Sequence, residues 1–249
     1  GYAPASWDGL IEYAKSKAVS LTHLENVGLI KKNDRGKYFD FFRDRVIFPV
    51  KDARNHWVGF GGRVLKKEEP KYLNSPETPV FLKGSELYGL YESKKSGEKF
   101  TRLLLVEGYM DVIALAQMGI RNAVATLGTA TSARHLTRMF RAVSEVVFCF
   151  DGDTAGRNDA WRALETSLPL MEDGRRVRFL FLPDGEDPDT RVRSIGTEGF
   201  LQEIEQATPL EQFFFDKLSE GVDIQSIEGK ARLTNMAKPL ILSLIHISE

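Results

Sequence analysis

Cysteine is almost missing from this sequence: Cys149 stands alone among 249 residues. One thiol cannot close a disulfide within the chain, which excludes a disulfide-built secreted scaffold and fits a reducing compartment. The same scarcity argues against zinc, because His23, His56 and His135 have no cysteine to complete a site with. Long apolar runs are missing as well. None approaches the ~18–20 residues of a membrane span, and nothing resembles a signal peptide. Internal repeats and low-complexity tracts are absent. A composition 42% hydrophobic and 28% charged is that of a soluble globular chain, long enough for one large domain or two small ones.

A strong net charge is also lacking, the formal value being −1. The balance hides an uneven distribution. Residues 31–71 hold twelve Lys and Arg against six Asp and Glu, while residues 184–189 supply four acids in six positions. A basic region followed by an acidic one suits a protein that holds a polyanion beside metal ions, and a solvated surface is the plainer alternative.

What the sequence does contain is two hydrophobic runs that end abruptly in acid. Leu103–Asp111, LLLVEGYMD, ends in Glu107-Gly108 and passes into a helical pattern carrying Asp111. Val146–Gly156, VVFCFDGDTAG, ends in Asp151-Gly152-Asp153 and enters a helix near Ala155. Parallel strands of an α/β sheet place their carboxyl ends on one edge, where ligands bind. Glu107, Asp151 and Asp153 are thereby expected at one mouth. Crowded carboxylates repel unless a cation sits among them, and an all-oxygen cluster suits Mg²⁺ or Mn²⁺. Asp111, four residues after Glu107, projects from the same side of the first helical turn; an N-terminal helix acid is its plainer role.

The pattern around these runs alternates. Strands are expected at 102–106, 122–126, 145–150 and 177–182, with helices at 109–118, 131–142 and 155–171. Right-handed crossovers make this a parallel sheet covered on both faces. Upstream, Ser6 and Ser20 are expected as helix N-caps, and 45–50 and 57–60 as strands. Gly59–Gly62 lacks side chains that would keep backbone from a phosphate, and Arg63 follows it. Ser93–Lys99 reads as a linker. Downstream the pattern is helical at 197–206, 210–219 and 229–237. Arg134, Arg138 and Arg141 read as a solvated face, Phe213–Phe215 and Trp161 as packing, and Cys149 as core filler.

The pair VEGYMD and DGDTAGRNDAW resembles the Toprim motif of bacterial primases, topoisomerases and some nucleases. With GFGGRV at 59–64, PKYLNSPET at 70–78, LYGLYE at 87–92 and FLPDGEDPD at 181–189, it is similar to the catalytic core of the DnaG-type bacterial replicative DNA primase over nearly all of 1–241. The resemblance implies a Toprim-type α/β fold, with a parallel sheet bearing helices on both faces. A mixed α+β subdomain precedes it and a helical subdomain follows. It implies catalytic Glu107, Asp151 and Asp153, with Asp111, Asp187 and Asp189 adding acids to a Mg²⁺ or Mn²⁺ site. Arg63 and Lys71 fall at basic positions facing those acids, beside Tyr72 and Asn74, for contact with nucleotide or nucleic acid. The implied activity is RNA primer synthesis on single-stranded DNA from ribonucleoside triphosphates in the bacterial cytoplasm. The family also carries a zinc-binding domain and a domain for the replicative helicase, both expected to lie outside this chain. A Toprim nuclease or topoisomerase, or a nucleic-acid-binding fragment without chemistry, are the alternatives.

The expected division is 1–99 for the N-terminal part of the core, 100–190 for the metal-binding domain, 191–241 for the helical subdomain and 242–249 as extraneous. Gly1 in place of an initiator Met, and GYAPASW after it, read as interior sequence. The final LSLIHISE is what a transposon-end adapter used in sequencing libraries encodes.

Overall fold

A computed structural model describes residues 1–66 and 69–245, the last three through their backbone alone. Of the terminal octapeptide, residues 242–245 continue the last helix and 246–249 lie outside the described residues. Near the N-terminus, β1 (Tyr2–Ala3) is followed by α1 (Gly9–Ser16), α2 (Leu21–Asn26) and a hairpin of β2 (Ile30–Lys32) and β3 (Tyr38–Asp40). Ile11, Ala14, Leu24 and Ile30 make the small core of this corner. Ser6 is not the cap of α1. Asp8 holds that position, and the first helical N–H groups are claimed by Asp40, whose buried carboxylate accepts from Leu10 at 2.7 Å and Ile11 at 3.2 Å. Helix starts leave orphan donors that some acceptor must satisfy, and here the acceptor comes from a strand thirty positions on. Ser20 does occupy the cap position of α2, without a side-chain bond.

Three further strands complete an antiparallel sheet with β1. β4 (Arg45–Lys51), β5 (Trp57–Val64) and β6 (Tyr72–Asn74) pair in the order β1-β4-β5-β6. α3 (Leu90–Lys95) then occupies the first half of the expected linker, held down by buried Leu90 and Ser93.

The second sheet comes from β7 (Arg102–Val106), β8 (Ala123–Ala125), β9 (Glu145–Phe150) and β10 (Arg176–Phe181), mutually parallel in the order β10-β9-β7-β8. Between them run α4 (Tyr109–Gln117), α5 (Ala133–Phe140) and α6 (Thr154–Ser167), the last extended by a 3₁₀ turn at Leu168–Leu170. α7 (Pro188–Glu205), kinked at Gly196, starts nine residues earlier than the pattern suggests, with Pro188 in its first turn. β11 (Thr208–Pro209) adds an antiparallel edge to β10 before α8 (Leu210–Ser219) and α9 (Ile227–Ile245).

The strands are apolar on both sides because both faces are covered. Leu103, Leu105, Phe148 and Phe179 pack against Leu136 of α5, Leu164 of α6 and Phe213 of α8. Leu104, Val147, Cys149 and Leu180 face Leu115 of α4 and Phe200 of α7. Phe213 and Phe214 are core as expected, with Trp161 stacked on Phe214, while Phe215 is half exposed. At the amino edge, Glu145 is 1% exposed and is paired to Arg102 at 2.9 Å and Arg178 at 3.0 Å. The two sheets meet where Phe48, Phe81, Tyr109 and Leu127 form a shared cluster. Among the described residues no helix is long and apolar enough to cross a membrane.

Candidate metal and nucleotide site

Both acid-tipped strands deliver their carboxylates to one edge. Glu107 directly follows β7 and Asp151 directly follows β9, two strands that lie side by side. Gly152 is required by the turn that follows, since a Cβ there would come within 2.0 Å of the Leu182 carbonyl. Asp111 sits in the first turn of α4 and accepts the Gly108 N–H at 3.0 Å. Asp187 caps α7, taking the Thr190 N–H at 2.8 Å, and Asp189 pairs with Arg193. Glu107, Asp111, Asp151, Asp187 and Asp189 all line one cavity of about 530 Å³.

The charge is more than the site tolerates unaided. Burial, with Asp187, Asp151 and Glu107 nearby, pushes the Asp111 carboxyl up to about 7. Burial and then Asp151, Asp159 and Asp153 raise Glu107; burial and then Asp153 and Asp187 raise Asp151. Desolvation and like charge both favour the protonated acid, and a divalent cation among the oxygens would relieve both. The donor set is all carboxylate, which fits Mg²⁺ or Mn²⁺ and not zinc. As they stand, no three His, Cys, Asp or Glu side chains among the described residues are arranged to hold an ion. Asp153 stands apart from the cavity lining. It is the N-cap of α6, accepting the Gly156 N–H at 2.7 Å, and reaches Glu107 and Asp151 only through its charge.

The facing wall is basic. β5 and β6 set Arg63 opposite Tyr72, and Arg63, Lys71, Tyr72 and Asn74 line the same cavity as the acids. Neither Arg63 nor Lys71 has a carboxylate partner among the described residues, and Arg63 keeps a buried Nε without an acceptor. Such a donor is costly unless a ligand meets it. The glycines before Arg63 do something other than the sequence suggested. A Cβ at Gly61 would stand 2.5 Å from the Tyr109 ring, and Gly59 and Gly62 likewise make room for Phe81 and Phe42. Aromatic packing, not approach to phosphate, explains them.

Tyr109 is the residue that sequence reasoning passed over. Its ring stacks on Phe48 and meets Tyr88 edge-on, and its hydroxyl donates to Asn74 Oδ1. Asn74 Nδ2 in turn donates to the Leu127 carbonyl at 2.9 Å. Asn74 therefore ties the basic wall to the acidic one, a role that only the folded distance reveals. Thr126 and Gly128 also line the cavity from the loop after β8. Of the three helical arginines, Arg138 is bound to Glu86 at 2.6 Å while Arg134 and Arg141 are exposed.

Comparison with known proteins gives matches in the same order as these parts. Residues 1–94 match the DNA primase catalytic core, N-terminal domain; 104–192 a Toprim-like family; and 212–244 the DnaB-helicase binding domain of primase. The Toprim-like match implies use of a divalent metal. The chain is 55% identical to the DNA primase of Pseudomonas putida over 243 residues, which is 97% of this chain and 37% of that protein. It therefore spans roughly two-fifths of such relatives. Among solved structures, an E. coli primase catalytic core aligns with TM-score 0.93 at 52% identity, over 98% of this chain and 78% of that one. A DnaG primase catalytic domain bound to single-stranded DNA aligns with TM-score 0.92 at 52% identity, over 98% and 79%. With those family matches in order and a primase core aligned over 98% of its length, the chain belongs to the DnaG-type bacterial DNA primases and matches their catalytic core.

Proposed function

We propose that the chain carries the nucleotidyl-transfer centre for RNA primer synthesis on single-stranded DNA. The observation that carries this reading is the opposition, across one cavity, of crowded carboxylates to Arg63 and Lys71, which have no carboxylate partner among the described residues. Joining nucleotides demands mostly charge neutralisation and alignment. The 3′-oxygen bonds to the α-phosphorus and the bond to the β-phosphate breaks. Pyrophosphate leaves with the electron pair, and the hydroxyl proton passes to water. Glu107, Asp111 and Asp151 are the first residues to hold Mg²⁺ or Mn²⁺, with Asp187 and Asp189 beside them and Asp153 acting through its charge. Bound there, divalent ions supply Lewis acidity to the attacking and leaving oxygens. Arg63 offers a fork for two phosphate oxygens and Lys71 a mobile point charge. Tyr72, half exposed between them, offers a ring on which a base can stack.

Single-stranded DNA template, ribonucleoside triphosphates and an RNA primer are the substrates and product of this reading, in a bacterial cytoplasm. The replicative helicase is the protein partner. We assign its contact to α8 and α9, inside the chain and not outside it as the sequence suggested, because the helicase-binding family matches residues 212–244. Incubating the chain with a single-stranded template, labelled ribonucleotides and Mn²⁺ tests the function. Short labelled RNA supports it. Template cleavage favours the Toprim nuclease or topoisomerase alternative, and retention of DNA without either product leaves a binding fragment.

A further inference from the structure

A second cavity, of about 350 Å³, opens on the other side of Glu107. It lies over the carboxyl ends of β7 and β9, floored by Leu105, Phe148 and Phe150. The chain leaves β7 toward β8 on one flank, and the strand after β9 is β10 on the other. That divergence is the crevice where open α/β sheets receive ligands. Its size is at the lower end of the range for small-molecule sites, roughly 300–1,000 Å³. The proposed transfer uses none of its groups except those at its border.

The rim is rich in unclaimed donors. Among the described residues, the N–H groups of 128–131 have no acceptor, and the hydroxyls of Thr126, Thr129 and Thr131 have no partner. Across the opening, α6 contributes Arg162, exposed and paired with Asp159 at 3.0 Å. Successive backbone amides with hydroxyls and one guanidinium form a cradle for a single phosphate and a polyhydroxylated sugar. A triphosphate belongs instead to the first cavity, where two cations have no carboxylate partner among the described residues. Glu107, Thr126 and Gly128 border both spaces, so groups held in each can meet at Glu107.

We infer that this second cavity is the acceptor subsite, which seats the 3′-terminal ribonucleotide of the growing strand. Its 5′-phosphate lies on the amides of 128–131 with Arg162, and its 3′-hydroxyl turns toward Glu107. The inference rests on the proposed polymerase reading and adds the second substrate's place to it.

Two variants and two readouts separate the possibilities. In primer extension, Thr129→Val with Thr131→Val removes two hydroxyl donors. The KM for an oligoribonucleotide primer should rise roughly tenfold, on the scale of two modest hydrogen bonds. The KM for the nucleoside triphosphate should stay within about twofold on the same scale. Ala130→Trp, at an exposed loop position, should plug the opening and give the same split. An unchanged primer KM, or an equal rise in both, overturns the subsite while leaving the polymerase reading intact. Independently, amide shifts are followed while the diribonucleotide ApA is titrated into the metal-free chain. Shifts at 128–131 that vanish in Ala130→Trp support the subsite, even if the wild-type chain extends no primer and the polymerase reading fails. Shifts confined to 63–74 overturn it.

Discussion

Asp151 bears a charge that its neighbours oppose, for burial, Asp153 and Asp187 all raise its carboxyl. A group held for stability would show the reverse. Asp151→Asn removes the charge at nearly constant volume, so thermal melting should stay within about 0.5 kcal/mol of wild type or improve. Mn²⁺ binding by calorimetry and primer synthesis should both fall by more than the roughly 100-fold cost of losing a metal's outer partner. A stable variant that binds Mn²⁺ normally would remove Asp151 from the ligand set. The acid tips were legible in the sequence because a hydrophobic run cannot continue through a carboxylate. Asp153 was only half legible: the residues at its flank mark it as an acid at the mouth, while its hydrogen bond to Gly156 depends on where α6 begins. Tyr109 was invisible because its partner Asn74 is 35 positions away and on the other sheet.

Elements clasp one another at a buried histidine. His135 of α5 donates from Nε2 to the Lys83 carbonyl at 2.8 Å and accepts the Ser132 N–H at Nδ1, 3.2 Å away. Both bonds at once require the neutral ring with its proton on Nε2, and burial pushes the pKa below the usual 6.5. As pH falls through 6.5 the unfolded chain takes up a proton that the folded ring refuses. Stability is therefore full above 6.5, declines below it and levels off under the folded value. In urea denaturation at pH 5 and pH 7.5, wild type should lose more stability, or gain less, on going to pH 5 than His135→Gln does; an identical change in both would remove His135 as its source. The acid cluster titrates with the opposite sign, so the wild-type-minus-variant comparison isolates the clasp. At this scale β7, β9 and β10 were readable from continuous apolar runs. β2, β3 and β6 were not, being three residues each and dependent on their partners. The early start of α7 was hidden because Asp187-Pro188 reads equally as a turn, and only the Thr190 bond shows a helix cap.

At the scale of the whole molecule, the site is an encounter between two sheets of opposite charge. Arg63→Ala or Lys71→Ala should weaken template binding and lower the slope of log affinity against log salt by about 0.7 for each phosphate no longer neutralised, the value for single strands. Fluorescence anisotropy across a salt titration reads this directly. An unchanged slope would return both residues to the solvated surface. The sequence displayed the basic stretch and the acidic tips, yet it could not display their opposition, which follows from Gly61 packing on Tyr109 and from the Asn74 tie. One quieter feature opens a practical route to that opposition. Cys149 is enclosed in the strand core, and burial holds its thiol well above the ordinary range, so it stays protonated. Thiolate is the form that reacts. A cysteine introduced on each wall would therefore take a spin label on an otherwise silent background, and the gap between the sheets becomes a distance that can be followed as nucleotide is added.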